Sequence, residues 1–422
     1  MLYFTAQMVQ LSSIAMYSIA FLAIYVQVFF LVTFLEKRKH IQFRKGGILL
    51  DEYPEVTIIV PCWNEENTID ATVTSLRALD YPKDKLTFFL IDDGSTDSTW
   101  QKMQQYSNHQ HIKIFHKSNG GKHTAMNMGI ELATSEFVGC LDADSFVDPQ
   151  ALKRIMTYFA SDHSTMAVVP SIVVHTPKTL IQKIQKVEYN WGVYMKKMLA
   201  LVNGIHVTPG PFSIYRREIF SKIGLFKKAH NTEDMEIAYR MQKHHMKIEH
   251  CNDAFVFTVT PDTVKKLYKQ RLRWIYGFIK NTIDYRSMLF SKNYGVFSWF
   301  TVPSGVISIL GALTMFSLLL YNVGHFFFQK VLQVQAAGFS TDLAPSIKFD
   351  WFFVNTAAFN LITIVLYVLL IIALLLGYKI AEGKARLSIT IIPFMVIYSV
   401  IAPLWILRAV WNTVTSRKTT WR

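Results

Sequence analysis

Three clusters of acids are the residues in this chain best suited to chemistry. In LDAD, Asp142 and Asp144 stand two apart where the apolar run EFVGCL ends. Carboxylates so placed can share one small cation while substrate phosphate oxygens complete its shell, the usual way of holding Mg2+. They can equally cap a following helix. In LIDDGSTD, Asp92 and Asp93 end another apolar run, and Gly94 permits a tight turn. An aspartate there can accept hydrogen bonds from a base or ribose, or simply close a strand-to-helix turn. In NTEDMEIAYR, Glu233, Asp234 and Glu236 crowd the start of a helical stretch. Asn231 or Thr232 can cap that helix, and acids in a first turn favour the positive end of the macrodipole. Taken alone the segment reads as helix-start chemistry, although one of its carboxylates could also take a proton.

The elements that must position these residues alternate from Val56 onward. VTIIV (56–60) reads as a buried strand leading into PCWNEE, and Ile69, Val73, Leu76 and Leu79 mark one helical face. TFFLI (87–91) ends in DDGSTD, where Asp97 can cap the next helix. IKIF (112–115), a helix over about 124–133 and EFVGCL (136–141) continue the pattern, and Asp148-Pro149 signals another helix start. Strands alternating with helices imply an α/β domain with a mostly parallel sheet, whose ligands sit beyond the carboxyl ends of the strands. Glu65, Asp92, Asp93, Asp142 and Asp144 fall at those ends. There is no GxxxxGK[ST] loop and no GxGxxG after a strand.

The ordered series VPCWNEE, LIDDGSTD, NGGKHTAMNMG, LDAD, TED and QRLRW resembles membrane-embedded family 2 glycosyltransferases of the GT-A fold. That group includes the synthases of hyaluronan, chitin, cellulose and poly-N-acetylglucosamine. The resemblance covers roughly 54–280, with TED and QxxRW its most specific parts. It implies an enzyme that transfers a sugar, N-acetylglucosamine as the best guess, from a UDP-sugar to a growing β-linked polysaccharide. The alternative is single transfer to a lipid or short glycan acceptor. By the resemblance, Glu65, Asp92, Asp93 and Asp142 contact the nucleotide-sugar and Lys122 lies near it. Asp142 and Asp144 hold Mg2+ or Mn2+, and Asp234 is the general base. Glu233, Gln270, Arg271, Arg273 and Trp274 gate UDP and face the acceptor. The chemistry fits: the leaving diphosphate must be neutralised, and a carboxylate must take the proton of a weakly acidic hydroxyl. One base without a covalent nucleophile implies inversion at the anomeric carbon.

Composition sets the surroundings. The 422 residues are 51% hydrophobic, and the excess is clustered. Uncharged intervals hold four apolar runs near 10–35, 302–325, 352–377 and 388–408, each long enough to cross a bilayer as helix. The division expected is an anchor with its basic segment (1–46), a GT-A domain (47–262), an interfacial region with QRLRW (263–296) and C-terminal membrane helices (297–422). Lys37, Arg38, Lys39, Arg44 and Lys45 after the first span, and Lys379, Lys384 and Arg386 later, place the domain in the cytoplasm of a multi-pass protein by the positive-inside rule. A fourth crossing would put Arg408, Arg417, Lys418 and Arg422 outside, against that rule. Two basic amphipathic segments, 178–202 and 263–283, read as lying in the headgroup plane.

Beside anionic headgroups, the net charge of +14 calls for a bilayer rather than nucleic acid. Four spans are few for a synthase channel, so a small membrane subunit or a homodimer is expected to complete it. The three cysteines lack metal-ligand spacing, and the histidines carry no zinc pattern. A transporter or sensor would have no use for a base at Asp234, and the spans lack the buried charges that mark transport paths.

Overall fold

The structure is a computed structural model that describes residues 2–41, 50, 52–337, 358–386 and 388–417. Arg44, Lys45, Lys418 and Arg422 lie outside the described residues. A long helix α1 (Leu2–Lys37) precedes the domain. There follow β1 (Val56–Cys62), α2 (Ile69–Arg77), β2 (Leu86–Asp93), α3 (Thr99–Gln104), β3 (Ile112–Lys117), α4 (Lys122–Leu132) and β4 (Phe137–Cys140). Then come β5 (Ser145–Val147), α5 (Ala151–Ser161), β6 (Thr165–Val174), α6 (Leu180–Leu201), β7 (Ile214–Arg216), α7 (Glu218–Ile223), α8 (Glu233–Lys243), β8 (Lys247–Thr258) and α9 (Val264–Asp284). The chain closes with α10 (Val302–Ala337), α11 (Ala358–Glu382) and α12 (Ile391–Val414).

The sheet order is β3-β2-β1-β4-β7-β6-β8-β5. The first four strands are parallel, as the βαβ pattern requires. Beyond β4 the sheet is mixed: β7 runs antiparallel to both its neighbours and β5 runs antiparallel to β8, while β6 and β8 are parallel. This is a GT-A-like sheet, less uniformly parallel than alternation alone suggests, because the segment after α6 returns as a short reversed strand. Ile58, Ile59, Val60, Leu90 and Ile91 are fully buried, the continuous apolar runs expected of strands covered on both faces.

Among the described residues, four helices are long and apolar enough to cross a membrane: Ile14–His40, Phe297–Ala336, Asn360–Glu382 and Ile391–Val414. The second outruns the expected 302–325. As the 36-residue α10 it is about 54 Å long. Both amphipathic segments are helices, and α6 serves two neighbours. One face packs on β6 and β8, the other on α11 and α12. Its lysines do not all line a solvated side. Lys197 is 1% exposed and donates to the His250 carbonyl at 2.9 Å, so the helix turns that ammonium into the sheet. Lys186 and Asn190, one turn apart, both reach Glu382 at the end of α11, at 3.0 and 2.9 Å.

Candidate active site

The carboxyl ends of β1, β2 and β4 lie side by side, and their polar loops are stitched together. Asn64, at φ +56°, accepts from the Thr96 amide through Oδ1 at 2.8 Å. The Glu65 amide donates to Thr99 Oγ1 at 2.7 Å, and the Glu65 carboxylate accepts from Thr68 Oγ1 at 2.8 Å. Asp92 accepts from the Ser95 amide at 3.2 Å and pairs with His116 Nδ1 at 2.7 Å. Asp93 takes Lys117 Nζ at 2.6 Å and the amides of Gly120 and Gly121 at 3.1 and 2.9 Å. Both carboxylates are within 2% of full burial. Here their hydrogen bonds go to the neighbouring loops, which they hold in place. Gly94, at φ +70°, makes the tight turn that follows.

LDAD stands in front of β4. Lys122, the first residue of α4, forms an ion pair with Oδ1 of Asp142 and lies 3.8 Å from Glu233. Burial opposes the Lys122 charge, but Asp142 and Glu233 outweigh it and hold the ammonium protonated well above its ordinary range. The second oxygen of Asp142 takes no hydrogen bond among the described residues. Asp144 accepts from Ser145 Oγ at 3.3 Å. Burial, then the charges of Asp142 and Glu65, push its carboxyl up to about 7. Gly210 passes so close that a Cβ there would sit 2.5 Å from Lys122 Nζ and 3.0 Å from Asp142. Among the described residues no three His, Cys, Asp or Glu side chains converge as a self-sufficient metal site. The donor set therefore fits a cation held by Asp142 and Asp144 with ligand oxygens completing its shell.

Asp234 is the second residue of α8, behind a strained turn. Ala229, His230 and Asn231 all have positive φ, 34°, 57° and 62°. Consecutive left-handed residues other than glycine are costly and persist only where surroundings over-determine them. One face of α9 supplies that constraint. Arg273 donates to the Asn231 carbonyl at 3.0 Å, and Gly277 lies against the Thr232 side chain. Asn281 donates to Thr232 Oγ1 at 3.0 Å, and His230 pairs with Asp284 at 2.8 Å. Thr208 bonds the Asp234 carbonyl through both its amide and its hydroxyl, each at 3.0 Å. Asp234 Oδ1 accepts from the Met235 amide at 2.9 Å. Burial, then Glu233, push the Asp234 carboxyl up to about 6 against the pull of Lys122 and Arg273. Capping by Thr232 does not occur through its side chain: it stands at the N-cap without bonding the helix amides.

The QRLRW residues divide between two faces, because residues two apart on a helix point roughly 200° apart. Arg273 faces Asn231 and Asp234. Arg271 turns away. It is 4% exposed, donates to Glu188 of α6 at 2.6 Å and to Gln270 at 2.9 Å, and lies 4.1 Å over the Trp274 ring. The structure thus gathers Glu233, Asp234, Lys122, Asp142 and Arg273 at one centre, with Asp144 and Glu65 at its edge. It sets Arg271, Gln270 and Trp274 on a neighbouring surface. Sequence reasoning missed Glu188, Thr208 and Lys196. Lys196 makes no hydrogen bond or ion pair among the described residues; burial pulls its ammonium down to about 8, with Asp234 opposing. Its only signal was a place on the polar side of an amphipathic helix.

Residues 57–224 match the family model for glycosyl transferase family 2. The chain carries a family 2 glycosyltransferase domain. A poly-beta-1,6-N-acetyl-D-glucosamine synthase of Staphylococcus aureus is 29% identical over 236 residues, which is 56% of this chain and 57% of that protein. The synthase of the same name from Staphylococcus epidermidis is 28% identical over 262 residues, 61% of this chain and 63% of its own length. The matches thus span less than two thirds of those relatives. Among solved structures, the mannosyltransferase PcManGT of Pyrobaculum calidifontis, in complex with GDP-Man and Mn2+, shares the fold across 96% of this chain and 99% of its own. The TM-score is 0.63 and the identity 16%.

Proposed function

We propose that this domain is a membrane-bound inverting glycosyltransferase that uses a UDP-sugar, N-acetylglucosamine as first choice, to extend a β-linked polysaccharide. The observation that carries this reading is Asp234: a carboxylate with its pKa raised to about 6, held by α9 beside Lys122 and Asp142 at the carboxyl ends of the strands. The synthases aligned with this chain carry that sugar in their names.

In this reading Asp234 accepts the proton of the acceptor hydroxyl as its oxygen attacks the anomeric carbon and the bond to the diphosphate breaks. Such a base contributes about 10²–10⁴ in rate. Lys122 and Arg273 offset the charge that grows on the diphosphate. Glu65, Asp92 and Asp93 shape the nucleotide pocket, the two aspartates through the loops they hold. Asp144 and the second oxygen of Asp142 would hold Mg2+ or Mn2+. The cation, when bound, supplies charge neutralisation of the leaving diphosphate. Glu233 braces Lys122, and Trp274 offers its face to the acceptor sugar. Four long apolar helices among the described residues support a membrane setting, and we assign the domain to the cytoplasmic side, where nucleotide-sugars are made. A partner subunit or second copy that lines the exit path belongs to the same reading.

Membranes carrying the protein, given labelled UDP- and GDP-sugars with Mg2+ or Mn2+, test it. A polymer or ladder from UDP-N-acetylglucosamine is expected. Transfer from GDP-mannose alone, or no turnover of any donor by folded protein, overturns it.

A further inference from the structure

Glu188 belongs to no motif, yet it joins three helices. Its Oε2 accepts from Arg271 of α9 at 2.6 Å and from the Tyr398 hydroxyl of α12 at 2.6 Å. Arg271 in turn is fixed on three sides: by Glu188, by Gln270 at 2.9 Å, and by the Trp274 ring 4.1 Å beneath its guanidinium plane. The Arg271 side chain is 5% exposed, so Glu188 is the counter-charge that keeps it in place. A buried charge that loses its partner costs far more than the pair contributes. The geometry is also directional. The fork of Arg271 is planar and engaged at both ends, so its plane, and with it the stacked indole, has one favoured orientation. Tyr398 is itself held by aromatic contacts within α12, 4.9 Å from Phe394 and 5.8 Å from Trp405. Trp274 remains half-buried, with ring surface left to offer a ligand.

We propose that Glu188 and Tyr398 are positioning residues which, through Arg271, set the Trp274 ring as the acceptor platform and tie it to the last apolar helix. The proposal rests on the reading above in which Trp274 faces the acceptor sugar. Under it, the position of α12 adjusts acceptor binding while the donor pocket, built on α4, β4 and α8, is left alone.

The test uses the full chain in nanodiscs and the variant Tyr398→Phe, which removes one hydroxyl and keeps the ring. Donor KM, kcat and product length are measured in the active protein. Binding of a β-linked N-acetylglucosamine tetramer is measured separately in an Asp234→Asn background without donor, so that no turnover occurs. Tyr398→Phe should weaken tetramer binding by about tenfold and shorten the product while donor KM stays within about twofold. A misplacement of about 1 Å can cost up to a hundredfold. Glu188→Gln should shift the same quantities further in the same direction. Tyr398→Phe added to Trp274→Ala should have no further effect, because both act on one surface. Additive effects in that double variant, equal losses on donor and acceptor, or unchanged tetramer binding overturn the positioning role. A wild-type chain that neither transfers sugar nor binds the tetramer overturns the sugar reading itself, a result distinct from a silent Tyr398→Phe in an active enzyme.

Discussion

Asp234 carries two opposed demands, and both can be measured. Its carboxyl is raised to about 6 by burial and by Glu233, so it holds a proton more tightly in the fold than in the unfolded chain. A base works only when deprotonated. The rate should therefore fall about tenfold per pH unit below about 6 and level off above it. Glu233→Gln removes a charge that raises this pKa, so the acid limb should move to lower pH. A limb that stays put or moves up contradicts the assignment. The same shift has a stability sign. A raised carboxyl pKa makes the ionised form a cost to the fold, absent below the unfolded value near 3.9 and growing until pH passes about 6. Asp234→Asn should thus melt a few degrees higher than wild type at pH 7, keep UDP binding, and lose about 10² or more in rate. Near wild-type activity in that variant would remove Asp234 from the reaction.

At the scale of elements, α9 does two jobs from two faces, and a single glycine tests one of them. Gly277 lies against Thr232, at the turn that presents Asp234, and a Cβ there would overlap the Thr232 side chain. Gly277→Ala should push the turn and lower kcat by up to about a hundredfold with UDP affinity held. If kcat is unchanged, the turn tolerates the shift and the clamp is not functional. The strands and the order of the motifs were legible because apolar runs and polar strand ends are local patterns. The partition of QRLRW was not. Spacing sets Arg271 and Arg273 on opposite faces, but only tertiary packing shows that Glu188 claims one and Asn231 the other. The left-handed run at Ala229, His230 and Asn231 was equally hidden. Such a run is uncommon for residues other than glycine, and the constraint lies on α9, 42 to 54 residues away. Burial of Lys197 was missed because an amphipathic pattern marks where a lysine sits on the helix, and packing on two sides leaves no solvated face for it.

At the scale of the molecule, the sequence poses a conflict that turns on α12. A fourth crossing would carry Arg408 and Arg417 away from the side that holds Lys37–Lys39 and Lys379. α12 begins on the domain's side, since Glu382, just before it, is bonded to Lys186 and Asn190 of α6. It then stays against the domain. Tyr398 reaches Glu188, Trp405 stands 6.4 Å from Tyr268 of α9, and Trp405, Ile406 and Ala409 are buried. Pro403 inside the helix removes a backbone hydrogen bond and permits a kink, which suits a segment that follows a surface. Contact along this length together with the charge rule predicts that α12 lies along the membrane face and returns its end to the domain's side. Cysteine labelling can decide this cleanly, because Cys62, Cys140 and Cys251 are all buried. Gln101→Cys on the domain and Ser416→Cys after α12 should react with a membrane-impermeant maleimide from the same side of sealed vesicles. Labelling of Ser416→Cys only from the opposite side would make α12 a true crossing, and the basic residues at its end an exception to the charge rule.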